Sequence, residues 1–224
     1  MVTKNILIVA PHADDETLGC GGTILRAINE GHNVHWLLVT GMSKESGFSQ
    51  EQIDTRRNEI DRVSTMYGFT STHELMLPPA MLETLPKGDI IGPIISIVNK
   101  VKPSDIYTVF RNDAHSDHEI VYDAVMSASK SFRHPFIKRV LAYETMSETD
   151  FGMKPEDGGF RPNVFVDITP HLDKKLDILE EFKSEIGDFP FPRSRKALES
   201  LACVRGVQAN CNAAEAFMLL KEVQ

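Results

Sequence analysis

The sequence predicts an α/β fold: a Rossmann-like, mostly parallel, doubly wound sheet with helices on both faces. Three observations point to it. Short β-rich runs alternate with helical periodicity over the first two thirds of the chain. The first run, Asn5-Ile6-Leu7-Ile8-Val9-Ala10, is apolar throughout and ends abruptly in a polar turn. The length of 224 residues, with 42% hydrophobic content, is enough for one sizeable core, so residues 1–224 are expected to form a single domain.

Strands are expected at residues 5–10, 33–40, 74–77, 105–110, 138–143 and 163–167. Helical faces lie between them. Leu18, Leu25 and Ile28 mark the first; Ile53, Ile60, Val63 and Tyr67 the second; Ile91, Ile94, Ile95 and Val98 the third; Ile120, Val121, Ala124, Val125 and Ala128 the fourth. From about residue 170, "HLDKKLDILEEFKSEIG" reads as an amphipathic helix and "NAAEAFMLLKEV" as another, both packed on the same core. The breaker-rich loops 41–50, 146–162 and 187–194 are candidates for lids or substrate walls.

A net charge of −8 argues against binding to nucleic acid or anionic lipid. Ser194-Arg195-Lys196 and Arg56-Arg57 are too short to form nucleic-acid patches. The opening apolar run is too short for a signal peptide or a membrane span, so a cytoplasmic protein without a membrane anchor is expected; a homo-oligomer is compatible with the sequence. Cys20, Cys203 and Cys211 form no CxxC pair, which indicates neither a disulfide framework nor a thiolate zinc site. "GCGG" at residues 19–22 lacks the third glycine of a dinucleotide fingerprint and falls inside a helix; close packing of helix on sheet explains it better.

Chemistry concentrates at two strand ends. "PHADDE" (residues 11–16) follows the first strand, and "NDAHSDHE" (residues 112–119) follows the fourth. With strand order 3-2-1-4-5 these loops face one crevice at the topological switch point, where open α/β sheets bind ligands. His12 and Asp15 are three residues apart at a turn into a helix, and His118 from the other loop completes a two-His, one-carboxylate set. Such a set, with room for water, suits catalytic Zn2+ and equally Fe2+. Asp14, beside a ligand without being one, suits a general base. His115 could present a protonated imidazole to a developing oxyanion, and Asp117 could accept its other N–H. His32, His35, His73, His134 and His171 lack such company and are read as structural, and Tyr107 as core.

"PHADDE", "HSDH" and the intervening "TILRAINEGHNVHWLLVTGM" resemble the LmbE-like, or PIG-L-type, zinc-dependent N-deacetylases of acetamido sugars. The likeness continues in Arg56-Arg57-Asn58-Glu59, similar to that family's R-x-x-E helix, and in "AEAF" at residues 214–217, while Ala13 and Ser116 stand where the family often has proline. The resemblance implies zinc on His12, Asp15 and His118, Asp14 as base and acid, His115 as oxyanion stabiliser and Asp117 as its support. It also implies Arg56 as a substrate contact; Arg161, in the 146–162 loop, is a second candidate. The expected reaction is hydrolysis of the N-acetyl group of an N-acetylglucosamine-type glycoside or nucleotide sugar, releasing acetate. Competing expectations are a non-haem Fe(II) oxygenase using the same ligands and a non-catalytic sugar- or nucleotide-binding module.

Overall fold

The structure is a computed structural model that describes residues 2–153 and 158–224. Seven strands form one sheet in the order β3-β2-β1-β4-β5-β7-β6. They are β1 (Asn5–Ala10), β2 (Asn33–Thr40), β3 (Ser71–Leu77), β4 (Asp105–Val109), β5 (Arg139–Tyr143), β6 (Val164–Asp167) and β7 (Ala214–Glu222). The first five are parallel; β7 runs antiparallel to both its neighbours.

The helices are α1 (Asp15–Asn29), α2 (Gln50–Tyr67), α3 (Lys87–Val101), α4 (Ser116–Ala128), α5 (Leu172–Leu179) and α6 (Arg195–Ala209). Alternate residues of the central strands feed two cores. Ile6, Ile8, Trp36 and Leu38 pack with Ile24 of α1, Val63 of α2 and Ile178 of α5. Leu7, Val9, Leu37 and Val39 pack with Ile94 of α3 and Val121 of α4 on the opposite face. A strand apolar at successive positions is thereby explained, because both of its faces are covered.

β1 lies between β2 and β4, where the strand order reverses, so the loops after β1 and β4 open into one crevice. The predicted order of the first five strands is the observed one. Tyr107 is buried against Phe217, as expected of a core residue. The glycines of α1 do permit close approach: a Cβ at Gly22 would come within 2.6 Å of Ile168, and one at Gly19 would collide with the Tyr143 ring.

The C-terminal third departs from expectation. "NAAEAFMLLKEV" is not a helix, because residues 214–222 form β7 between β5 and β6. Its Ala, Glu, Met, Leu and Lys favour helix intrinsically, but Ala214, Ala216 and Phe217 are buried within the sheet and pairing on both edges overrides that preference. The second C-terminal helix is α6, which Ser194 caps by accepting from the Ala197 N–H and which ends at Asn210 in the left-handed region. Helix α5 is shorter than its periodicity suggested. Of the loop 146–162, residues Lys154 to Asp157 lie outside the described residues.

Candidate metal centre and active site

The loop after β1 is held from three sides. The Pro11 carbonyl accepts from both the N–H and the hydroxyl of Thr40, at the end of β2. The Ala13 carbonyl accepts from Nη1 of the buried Arg56 at 2.7 Å. Tyr143 donates its hydroxyl to Val9 O at 2.8 Å. The loop then enters α1 through Asp14, whose φ of 154° is rarely adopted by an L-residue. Asp14 stands at the N-cap but makes no side-chain cap bond, and its carboxylate lines the cleft instead. Backbone strain of this kind costs on the order of 1–3 kcal/mol and clusters at functional sites.

Asp15, the first residue of α1, accepts from the His12 N–H at 2.8 Å. The same Oδ2 lies 3.3 Å from His12 Nδ1 and 3.4 Å from His118 Nε2. The far nitrogen of each ring faces another carboxylate: His12 Nε2 is 3.0 Å from Asp117 Oδ2, and His118 Nδ1 is 2.7 Å from Asp113 Oδ2. Carboxylates accept, so those far nitrogens keep their protons. Once either imidazole is neutral, His12 Nδ1 and His118 Nε2 are therefore the nitrogens that present lone pairs beside Asp15.

The His12, Asp15 and His118 donor atoms lie within 4.8 Å of one another. His118 Nε2 is buried without a hydrogen-bond partner among the described residues. An orphaned imidazole nitrogen converging with a second nitrogen and a carboxylate oxygen fits a divalent cation, and the mixed N/O set suits zinc or ferrous iron. The donor atoms of a second group, His12, His115 and Asp117, also lie within 4.8 Å of one another. It fits less well, because His12 Nε2 is already engaged by Asp117 and His115 Nδ1 accepts the Asp117 backbone N–H at 3.1 Å.

Burial favours the neutral form of each imidazole, yet the surrounding carboxylates prevail. They raise His12 to about 9, through Asp117 and Asp15, and His118 to about 10, through Asp15 and Asp113. Asp14 is pushed up to about 8 by burial and by the negative charge of Asp15. Burial works the same way on Asp15, but His118 and His12 overcome it and hold that carboxylate well below the usual range.

The structure brings His12, Asp14, Asp15, His115 and His118 to one cleft of about 260 Å³. This lies just below the range of roughly 300–1,000 Å³ for small-molecule pockets. Asp117 and Arg161 depart from the sequence expectation, and Arg56 meets it in position. Asp117 does not accept from His115: its Oδ2 is 4.0 Å from His115 Nδ1, and its carboxylate serves His12 Nε2 and the Ala80 and Leu82 N–H groups. Arg56 lines the cleft, but its guanidinium is committed to Ala13 O, Ser184 and Glu185. Arg161 is exposed and lies outside the described lining of the cleft, its backbone N–H directed at Met218 Sδ.

Asp113 lies within the second motif, and sequence reasoning gives it no role. Its carboxylate is fully buried, with Oδ2 on His118 and Oδ1 accepting from Thr149 at 2.6 Å. An acid five residues before a candidate ligand was the available signal. Arg193 and Glu185, which also line the cleft, sit in a region whose sequence shows no chemical motif.

The chain is similar to several known proteins. The chain is 29% identical over 188 residues to an uncharacterized deacetylase, YaiS, of Escherichia coli K12, covering 81% of this chain and 91% of that protein. It is 24% identical over 226 residues to the diacetylchitobiose deacetylase of Thermococcus kodakarensis, covering 95% and 81%. The crystal structure of the conserved protein TT1542 from Thermus thermophilus superposes with a TM-score of 0.79 at 22% identity, over 99% of this chain and 97% of that one. Residues 7–129, more than half the chain and the part holding both His/Asp loops, match the PIG-L family described as GlcNAc-PI de-N-acetylase, and the protein belongs to that family.

Proposed function

We propose that this protein is a metal-dependent hydrolase that removes the N-acetyl group of an acetamido sugar and releases acetate. The observation that carries the reading is the pairing of a three-donor site, His12, Asp15 and His118, with the adjacent carboxylate of Asp14, which stands apart from that donor set and makes no helix-cap bond. Family membership and the named deacetylases among its relatives support the substrate class. A single sheet running from Asn5 to Glu222 supports treating residues 1–224 as one domain.

His12, Asp15 and His118 would hold the cation, with zinc favoured over Fe2+ because hydrolysis needs no redox partner. Such an ion polarises a carbonyl oxygen and brings the pKa of water to about 7. Asp14, next to the three donors and lining the same cleft, is placed to exchange protons with a water there. It takes the proton of the attacking water as the C–O bond forms. It then gives a proton to the amide nitrogen as the C–N bond breaks, leaving acetate and a free amino sugar.

His115 lines the same cleft, and its Nδ1 is occupied by the Asp117 N–H, so Nε2 carries the proton. A neutral N–H donor for the developing oxyanion therefore replaces the imidazolium expected from sequence. Asp117 and Asp113 orient His12 and His118 respectively.

Acetate release from N-acetylglucosamine and its glycosides by the zinc-loaded, iron-loaded and chelated protein tests the proposal. Asp14→Asn should bind metal as the parent does yet lose about 10²–10⁴-fold in turnover. Parental turnover in that variant would remove Asp14 from the reaction, and metal-independent acetate release would remove the metal.

A further inference from the structure

The part of the cleft on the β2–β3 side of the His/Asp centre is not lined like the rest. Met42 and Phe48 come from the loop after β2, Ile53 from α2, and Met76 and Pro79 from the end of β3 and the turn beyond it. Met76 is 43% exposed, a large apolar side chain left open at the cleft. It is also held in place: its φ of 55° lies where non-glycine residues are uncommon, and its thioether packs over Gly41, where a Cβ would come within 2.5 Å of Sδ.

Among the described residues, each guanidinium that lines the cleft is paired with a carboxylate. Arg56 is paired with Glu185, Arg57 with Glu74, and Arg193 with Glu185 while also donating to Glu185 O and Ser147 Oγ. An anionic group entering here would have to displace a carboxylate from a guanidinium, and would meet Glu74, Glu148 and Glu185 in the same lining. Recognition of phosphate or carboxylate ordinarily relies on free, forked guanidinium donors.

Resting on the deacetylase reading, we infer that the substrate carries an uncharged, apolar aglycone that lies against Met42, Phe48, Ile53, Met76 and Pro79. Nucleotide-linked, phosphate-linked and carboxylate-bearing acetamido sugars are then poor substrates. Burial of a phenyl or alkyl group against this wall supplies affinity that a free sugar cannot gain.

The test compares phenyl, octyl and methyl N-acetylglucosaminides with UDP-N-acetylglucosamine and N-acetylglucosamine 1-phosphate. Acetate release is measured with the zinc-loaded protein, and binding of the same compounds by calorimetry with the metal-free protein. The phenyl and octyl glycosides should exceed the methyl glycoside by at least about tenfold in kcat/KM and in affinity. The anionic members should be weakest, and Phe48→Ser and Met76→Ser should each erode the phenyl-over-methyl ratio. Equal handling of phenyl and methyl, preference for an anionic member, or a ratio unmoved in both variants would overturn the inference. Tenfold tighter binding of the phenyl glycoside without acetate from any compound would sustain the apolar site and sink the deacetylase reading instead.

Discussion

Two adjacent carboxylates, Asp14 and Asp15, are given opposite properties by their neighbours. Asp15 faces two imidazoles and stays ionised, whereas Asp14, buried beside that negative charge, holds its proton to about pH 8. Titratable neighbours driven apart in this way are what the proposed division between metal ligand and proton carrier requires. Asp113 extends the argument one contact outward. It receives the His118 Nδ1 proton and is itself fixed by Thr149. Asp113→Asn should therefore weaken metal binding by about 10–100-fold in chelator competition, while turnover at saturating metal recovers most of its parental value. Unchanged metal affinity would reduce Asp113 to a packing role. The residues that meet in the cleft were legible because each sits in a short motif at a strand end. The pairing of Asp117 with His12 was not, since it depends on which way a side chain turns across a gap of 105 residues.

Helix α1 shows how an element can be broken and still be held. Cys20 leaves helical geometry at φ −141° and ψ 20°, which frees a carbonyl on one side of the break and amides on the other. Leu18 O accepts from Lys175 Nζ at 3.0 Å; the Gly22 and Thr23 N–H groups donate to the carboxylate of Glu215 at 2.8 and 2.7 Å. Lys175 and Glu215 also pair with each other at 2.7 Å, both buried. Opposite charges thus cap opposite ends of the break, in the sense the helix dipole favours. Glu215→Ala should cost about 3–5 kcal/mol in denaturant unfolding, because a buried ammonium and two amides lose their partner. A loss below about 1 kcal/mol would show that water substitutes readily. The arrangement also explains why the sequence misleads here. "AEAF" suits a helix by propensity, and only the capping of α1 by Glu215 and the burial of its neighbours between two strands give that segment its reason to be extended. By contrast β1, β2 and β4 were readable because burial on both faces makes them apolar at successive positions.

Across the whole molecule the centre links metal, protons and folding. The metal-free chain holds His12 and His118 at about 9 and about 10, above the roughly 6.5 of an unfolded histidine. Below about pH 6.5 their contribution to stability is fully present; above it the folded chain keeps protons that the unfolded chain releases, and the contribution is lost by about pH 10. Asp14 and Glu16, each raised to about 8, push in the same direction up to that pH. The depressed Asp15 contributes in full above about pH 4 and so stays constant over this window. A cation requires the neutral imidazoles, so its affinity rises over the same range, and at a hundredfold excess over Kd it adds about 2.7 kcal/mol to stability. The chelated protein should accordingly lose Tm from about pH 6 to about pH 8.5, and the gap between zinc-loaded and chelated protein should widen. Calorimetric titration with zinc in buffers of different ionisation enthalpy should show net proton release near pH 7. A gap that narrows as pH rises, or zinc binding without proton release, would mean that the cation does not displace protons from His12 and His118 and that these are not its ligands.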